Sequence, residues 1–455
     1  MMLRSVALLI PALLAANPIG AQDIGARLDS VMRAAEANGF SGVVRIAKNG
    51  NVLLEKGYGL ANREKRIPFT KSTVVQIGSN TKDFTAVAIL QLQQAGLLSV
   101  QDKLSRFFPD APADKRDITV WQLMKHQAGF PLAFGGDFEQ ISRAQLIDNA
   151  MRFKLLYPPG SKTSYSNPGY ALLAAIIEKV SGKTYDEYVR DRILVPLGLR
   201  RTGFLLPRFA STDLAHGYRS NGEDAGTMLA KPHASDGPYW NLRGNGGMLS
   251  TVADMHAFYT ALFGTEKLIR FNARNGMFDP REPVGLAGSD LVNFFLYERM
   301  PSAGVEMLIA STNAAMKAPA VRGALGRVLG LPDVREGEEA PLARAVGKPV
   351  PAEQSAIIDE FVSLLNKGDR NALKEFIGAR FLLAADAPTA DQRAERLSGI
   401  HDDLGMLSIV RQTVVDNGSV QAVVKTEKQG EALLIFEMET AAPFRIRRFG
   451  IQVGG

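Results

Sequence analysis

Not one of the 455 residues is a cysteine. Disulfides, thiolate nucleophiles, iron–sulfur clusters and Cys-ligated zinc are thereby excluded, and a chain this long must be held together by buried apolar side chains alone. The supply is adequate: 46% of residues are apolar and 22% charged, ordinary values for a globular protein. At this length one core usually divides, so two units are expected.

The N-terminus reads as an export signal over residues 1–21. Arg4 supplies a positive start, Val6 to Leu14 is apolar apart from Pro11, and Ile19-Gly20-Ala21 precedes a cut at Gln22. The apolar run falls far short of the ~20 residues a bilayer span requires, and no later segment is long and apolar enough to cross. A periplasmic or secreted protein is the expectation. The formal charge of +6 includes Arg4 and is spread along the chain. Without a dense Lys/Arg run or a basic helix with interleaved aromatics, nucleic acid is not expected as a partner.

Apolar spacing predicts a helix over Ile24–Asn38, then β-rich runs Gly42–Ala47 and Val52–Gly57 joined through Asn49-Gly50, a pair suited to a tight hairpin. Long helices are expected at Thr81–Ala95, stopped by Gly96, and at Pro168–Val180, stopped by Ser181-Gly182. Strands follow at Val292–Tyr297 and Val305–Ser311, then a helix over Pro319–Leu329. The fold class is α/β (α+β): one antiparallel sheet assembled from both ends of a domain spanning 22–335, with a helical insertion between them. Glu336–Pro351, rich in Glu, Ala, Pro and Gly, reads as a linker. Residues 352–455 read as a small α+β domain. Its helices are expected at Ile357–Leu365 and Ala372–Phe381. Its strands are expected near Leu407–Val415, Val420–Lys425, Ala432–Glu437 and Phe444–Val453, with a hairpin signal at Asn417-Gly418.

Two clusters can carry chemistry. Ser79-Asn80-Thr81-Lys82 opens a long helix. Residues three apart share a helix face, and the helix N-terminus favours negative charge beside the serine oxygen. A serine hydroxyl needs a base to become a nucleophile, and an amine serves only if burial or neighbouring positive charge lowers its pKa. The competing reading is an N-cap serine with a solvated lysine. The second cluster is Tyr165-Ser166-Asn167, on a polar, turn-rich run that leads into a helix. There Tyr165 can relay a proton, and the Asn167 amide can donate to a substrate carbonyl or accept from a lysine. The competing reading is a core tyrosine and a turn asparagine.

Taken together, Ser79-x-x-Lys82 followed by Tyr165-Ser166-Asn167 resembles the first two signatures of the penicillin-recognising serine hydrolases. Those hydrolases include class C β-lactamases, DD-peptidases and family VIII-type esterases. The resemblance extends over about Ile24–Leu331 and includes Phe40–Val44, Tyr58–Asn62, Leu123–Gly129, Val195–Leu199 and Gly246–Thr251. It implies that Ser79 forms an acyl-enzyme, that Lys82 and Tyr165 share acid–base duty, and that Asn167 orients the substrate or Lys82. It also implies an oxyanion hole combining the Ser79 N–H with an N–H from an edge strand. The third signature, Lys-Thr-Gly or His-x-Gly just before a strand, corresponds here to Gly285-Leu286-Ala287-Gly288-Ser289-Asp290. Gly288 and Ser289 then border the substrate, and Leu286 stands in place of the cation. Leucine cannot hold the carboxylate that β-lactams and D-Ala-D-Ala peptides present, so the expected substrates are neutral esters. A β-lactamase or DD-peptidase, and a non-catalytic binding protein on the same fold, stand as alternatives.

The five histidines, at 126, 216, 233, 256 and 401, show no ligand spacing, so no metal and no cofactor are expected. Arg243–Gly247 is expected as a turn lining the cleft, and Tyr239 and Trp240 as either acyl-pocket or core residues. The C-terminal unit resembles, in helix–strand order, small cone-shaped α+β domains that trail such hydrolases.

Overall fold

A computed structural model describes residues 21–204, 207–219, 222–231, 237, 239–289, 292–312, 318–331, 350–382, 389–414, 420–428, 430–439 and 441–453. The expected export signal (but for Ala21), His233, most of the expected linker and the Asn417-Gly418 hairpin lie outside them.

The N-terminal unit is organised around a five-stranded antiparallel sheet. Its strands are β1 (Gly42–Lys48), β2 (Asn51–Tyr58), β3 (Val284–Ser289), β4 (Phe294–Met300) and β5 (Val305–Ser311), in the order β2-β1-β5-β4-β3. The two ends of the unit meet at β1–β5, where Gly42 faces Ser311 and Lys48 faces Val305. The hairpin between β1 and β2 turns at Asn49 and Gly50, both at positive φ, the conformation an Asn-Gly turn supplies.

Side chains alternate across the sheet with a period of two. Val43, Leu308, Ala310, Phe295 and Tyr297 face a large core containing helix α2 (Thr81–Gln94), helix α3 (Asn167–Ser181) and helix α4 (Val252–Gly264). Val44, Ile46, Met307 and Ile309 face the opposite side, where Leu28 and Met32 of the N-terminal helix Ala21–Ala37 meet Val321 and Leu325 of helix Ala318–Leu329. Between β2 and β3 the chain forms the expected helix-rich insertion. It also contains two-stranded pairs, such as Val75–Gln76 with Leu249–Ser250.

Helix α2 determines where the chemistry lies. Every residue from Thr81 to Leu90 is buried, as is Leu92, so this is a core helix on all sides. Lys82 and Asp83 are carried into the interior with it. The helix follows a 3-10 turn, Gly78–Asn80, so Ser79 sits at the mouth of the helix.

Two expectations are corrected. The strand expected at Val292–Tyr297 runs instead over Phe294–Met300, ending where Pro301–Ala303 forms a 3-10 turn and Gly304 takes a positive φ. The third signature was expected to precede a strand; it is itself the edge strand β3. Gly285, Ala287 and Gly288 have low strand propensity, and only the ladder to β4 (Leu286 opposite Tyr297, Ser289 opposite Phe294) reveals it.

Edge strand and nucleophile turn touch through backbone. Gly78 has φ +49, and a Cβ there would lie 2.8 Å from both the Gly288 carbonyl carbon and the Ser289 nitrogen. A Cβ on Gly288 would lie 2.3 Å from the Ile77 oxygen and 2.5 Å from the Ser79 nitrogen. Only glycine permits such an approach.

The C-terminal residues have a core of their own, drawn from positions 357–446. Helix Ala352–Lys367 contains the expected Ile357–Leu365, and helix Arg370–Arg380 covers the expected Ala372–Phe381 except Phe381, which is its extended C-cap. A third, Ala390–Leu404, is additional, with Thr389 and Gln392 forming a capping box. Four antiparallel strands, Leu407–Val414, Val420–Thr426, Gly430–Met438 and Ile446–Val453, form a meander in sequence order.

Gly288→Ala should destabilise the protein by about 1–3 kcal/mol, the usual cost of overpacking, because backbone on both sides of the glycine must retreat. Thermal unfolding of the variant checks this; an unchanged midpoint would mean the two backbones are not in contact.

Candidate active site

Ser79, Lys82 and Tyr165 converge. The Tyr165 hydroxyl donates to Ser79 Oγ at 2.7 Å, and Lys82 Nζ donates to the same oxygen at 3.2 Å. Lys82 also donates to the backbone oxygen of Asn245 at 2.7 Å. Its Nζ lies 4.7 Å from the centre of the Tyr165 ring and 5.7 Å from that of Tyr170. Among the described residues no carboxylate is hydrogen-bonded to the amine, and burial lowers its pKa to about 7, partly offset by the fields of Asp83 and Asp137. Near neutral pH a substantial fraction of Lys82 is therefore uncharged and able to take a proton.

Tyr165 is 39% exposed as a whole residue, its ring forming part of the cleft surface while its hydroxyl points inwards to Ser79. Burial of that end pushes its pKa up, to about 12, although the Ser79 hydrogen bond opposes the rise. It stays protonated at neutral pH and is a proton donor rather than a resident base.

The tyrosine is held by its neighbours in sequence. Ser164 N–H donates to the His126 carbonyl at 2.9 Å, and Ser166 N–H donates to His126 Nδ1 at 3.1 Å. The His126 ring lies 4.5 Å from the Tyr165 ring. Burial, then the nearby Lys82, lowers the imidazole to about 3, so it remains neutral and keeps Nδ1 as an acceptor. His126 thus clamps both sides of Tyr165. Ser166 caps helix α3 by accepting from Gly169 N–H, and Pro168 follows in the first turn.

Asn167 is where the structure departs from one of the two roles considered for it. Its N–H donates to the Leu132 carbonyl at 3.0 Å, but Lys82 finds its acceptor at Asn245 instead. Asn167 Oδ1 is buried without a protein partner. The amide therefore makes no hydrogen bond to Lys82. The glycine-rich run Arg243–Gly247 supplies the Asn245 carbonyl. Gly244, at φ +75, wedges between helices α2 and α3, with Thr85 Oγ1 donating to its carbonyl at 2.7 Å. No motif signals this acceptor, because a backbone carbonyl carries no residue identity; only the turn itself was legible.

Gly288 and Ser289 lie across from Ser79, in the backbone contact described above. Leu286 is half-buried against the main core, and its carbonyl accepts from Asn80 Nδ2 at 3.2 Å. Tyr239 and Trp240 are each 1% exposed and belong to the core. The Tyr239 hydroxyl is spent on the Met228 and Lys231 carbonyls.

Three residues distant in sequence, Glu64, His216 and Asp224, place potential ligand atoms within 4.8 Å of one another, a grouping that local histidine spacing does not reveal. Each has a protein partner: His216 Nδ1 with Asp224 Oδ2 at 2.8 Å, and Glu64 Oε2 with the Tyr218 hydroxyl at 2.7 Å.

The family model described as Beta-lactamase matches residues 28–328. The chain belongs to the beta-lactamase family. Among curated relatives of this family member, the protein flp of Staphylococcus aureus (strain MW2) is 33% identical over 197 residues, covering 42% of this chain and 39% of flp. Penicillin-binding protein 4* of Bacillus subtilis (strain 168) is 28% identical over 274 residues, 57% of this chain and 59% of the relative. The chain thus spans well under two thirds of the length of either. Solved structures share the fold. FmtA of Staphylococcus aureus superimposes with a TM-score of 0.57 at 23% identity, over 67% of this chain and 89% of FmtA. The D-amino acid amidase of Ochrobactrum anthropi SV3 gives 0.57 at 22% identity, over 68% and 98%. A class C β-lactamase gives 0.58 at 19% identity, over 69% and 99%.

A lysine whose pKa is lowered in the native state costs stability as pH falls from about 10.4, its unfolded value, to about 7, its folded value. Below that the cost is constant. Lys82→Met removes it. The stability difference between Lys82→Met and wild type should therefore shift in favour of the variant as pH is lowered from 10 to 7, read by denaturant unfolding at each pH. A difference independent of pH would show that the amine is charged in the native state.

Proposed function

We propose that this beta-lactamase family member is a serine hydrolase that forms an acyl-enzyme on Ser79, acting on carboxylic esters or closely related neutral acyl substrates. The observation that carries the reading is the buried Lys82 amine, lowered to about 7 and within hydrogen-bond reach of a serine oxygen that also receives the Tyr165 hydroxyl.

In the first half-reaction Lys82 takes the Ser79 proton as Oγ bonds to the acyl carbon. Negative charge on the carbonyl oxygen falls to the Ser79 and Ser289 N–H groups, the second brought close by the Gly78–Gly288 contact. When the bond to the leaving group breaks, the leaving-group oxygen takes a proton from Tyr165, and the adjacent Lys82 ammonium passes its proton directly to the phenolate. Water then attacks the ester on Ser79 by the same steps in reverse order, releasing the acid and the free serine. Asn167, with an unpaired buried oxygen, faces the substrate.

The preference for neutral substrates rests on Leu286. The edge strand brings leucine where the family's signature carries a cation, and no side chain on Val284–Ser289 is charged. A carboxylate-bearing β-lactam or peptide would have to be desolvated there without a partner. The N-terminal pattern of Arg4 and the Val6–Leu14 run adds export to the proposal, and recovered extracytoplasmic protein beginning at Gln22 is its test.

With p-nitrophenyl butyrate, wild type should turn over and Ser79→Ala should lose about 10³-fold or more; equal rates would remove Ser79 from the reaction. Tyr165→Phe should lose about 10²–10⁴-fold. A benzylpenicillin adduct at Ser79, formed faster than ester turnover, would favour the β-lactam reading instead. Reversible binding with no acylation by any of these would favour a binding protein.

The pH profile follows from the same pKa values. kcat/KM should rise through about pH 7 as Lys82 loses its proton. It should then stay level well into the alkaline range, because Tyr165 holds its proton to about 12. A profile that falls above neutrality would assign the base to another group.

A further inference from the structure

Asn80 occupies a variable position of the Ser-x-x-Lys signature and has no role in the chemistry above, yet it is 2% exposed and bonded on two sides. Its Nδ2 donates to the Tyr259 hydroxyl at 2.8 Å and to the Leu286 carbonyl at 3.2 Å. The Tyr259 hydroxyl in turn donates to Asp83 Oδ2 at 2.8 Å. The amide orientation is fixed by these partners. Turned over, it would set Oδ1 against the Leu286 carbonyl, two acceptors face to face. Asn80 Oδ1 has no partner of its own and lies 2.9 Å from where a Cβ on Gly288 would stand. The side chain therefore runs beneath β3 from Leu286 to Gly288.

Tyr259 extends the connection. Its ring stacks on Tyr297 of β4 at 3.8 Å between centres and 14° between planes, and Tyr297 is the ladder partner of Leu286. Leu286 is thus held from the side by β4 and from below by Asn80. Asp83, Tyr259, Asn80 and Leu286 form one line of contacts running from helix α2, through helix α4, to the edge strand three residues before the Ser289 N–H. An edge strand has neighbours on one side only and is otherwise free to lift.

We propose that Asn80 is a positioning residue that ties β3 to the nucleophile turn and so keeps the Ser289 N–H aligned with the Ser79 N–H, with Tyr259 and Asp83 fixing the Asn80 amide. The proposal rests on the acyl-enzyme reading for its catalytic consequence, but the tie itself is a property of the fold. Burial raises Asp83 despite the Tyr259 hydrogen bond and the nearby Lys82, so the network tends towards an uncharged acceptor that need not draw solvent into the core.

The test uses the full chain carrying Asn80→Ala and, separately, Tyr259→Phe, which leaves the Leu286 bond but frees the amide. Backbone hydrogen exchange over residues 284–289 should be at least several-fold faster in Asn80→Ala than in wild type, with the exchange of β1 unchanged. Tyr259→Phe should give a smaller change in the same direction. Exchange over 284–289 that stays at the wild-type rate in both variants overturns the proposal, whatever substrate the enzyme takes.

The second readout is catalytic. With p-nitrophenyl butyrate, kcat should fall about tenfold in Asn80→Ala while KM moves little, less than the 10²–10³ lost when an oxyanion donor is removed outright. The affinity of an aryl boronic acid, whose tetrahedral adduct fills the oxyanion hole, should fall by a similar factor. Faster exchange with unaltered kcat and boronate affinity in a wild type that does acylate Ser79 would overturn the alignment role. A wild type that is never acylated would sink the hydrolase reading and the catalytic half of this proposal together, while the exchange result still decides the tie.

Discussion

The arrangement depends on one desolvation. Helix α2 is buried along most of its length, so the lysine at its second residue is largely withdrawn from water, and among the described residues no carboxylate is hydrogen-bonded to its amine. A charged ammonium in that position is disfavoured, and the cost is met in part by the Asn245 carbonyl and by the faces of Tyr165 and Tyr170. In the proposed reaction, what the core loses in stability provides a base able to work at neutral pH.

The groups that touch this amine and the serine beside it are uncharged, although the Asp83 and Asp137 carboxyls act on the amine from farther off. His126 is kept neutral by burial and serves as a clamp, Tyr165 keeps its proton, and the backbone of Asn245, Ser79 and Ser289 provides fixed dipoles. Leucine at 286 continues the pattern on the edge strand. The immediate contacts of the Ser79 oxygen and the Lys82 amine therefore carry little charge.

Much of this was legible in the sequence, for identifiable reasons. Ser79, Lys82 and Tyr165 are side chains in short, spaced signatures, and the structure brings them within hydrogen-bond distance. The Asn49-Gly50 turn and the helix-stopping glycines at 96 and 182 are local signals, and each appears where local chemistry requires it. Features that depend on distant partners were hidden. Strand β3 is made of residues that favour loops and is a strand only because β4 pairs with it. The Tyr259–Asp83 bond joins residues 176 apart, and nothing near either announces it. Helix Ala390–Leu404 is so rich in charge that its apolar face is thin, and its capping box at Thr389 and Gln392 was the one signal that would have found it. The reach of Asn167 towards Lys82 was inferred from residue type and failed on geometry, because a closer carbonyl was available.

The way the sheet is closed has a consequence for biosynthesis. Strand β1 finds its inner neighbour only at Val305–Ser311, and the strand facing Ser79 is made from residues 284–289. Ser79, Lys82 and Tyr165 emerge first, but the strand that would cradle the developing oxyanion in the proposed reaction begins about 120 residues after Tyr165. A nascent chain that has produced Ser79, Lys82 and Tyr165 still lacks the Asn245 carbonyl and the edge strand. Contacts of such long sequence separation also form slowly. The proposed catalytic arrangement is thus complete only when the sheet is.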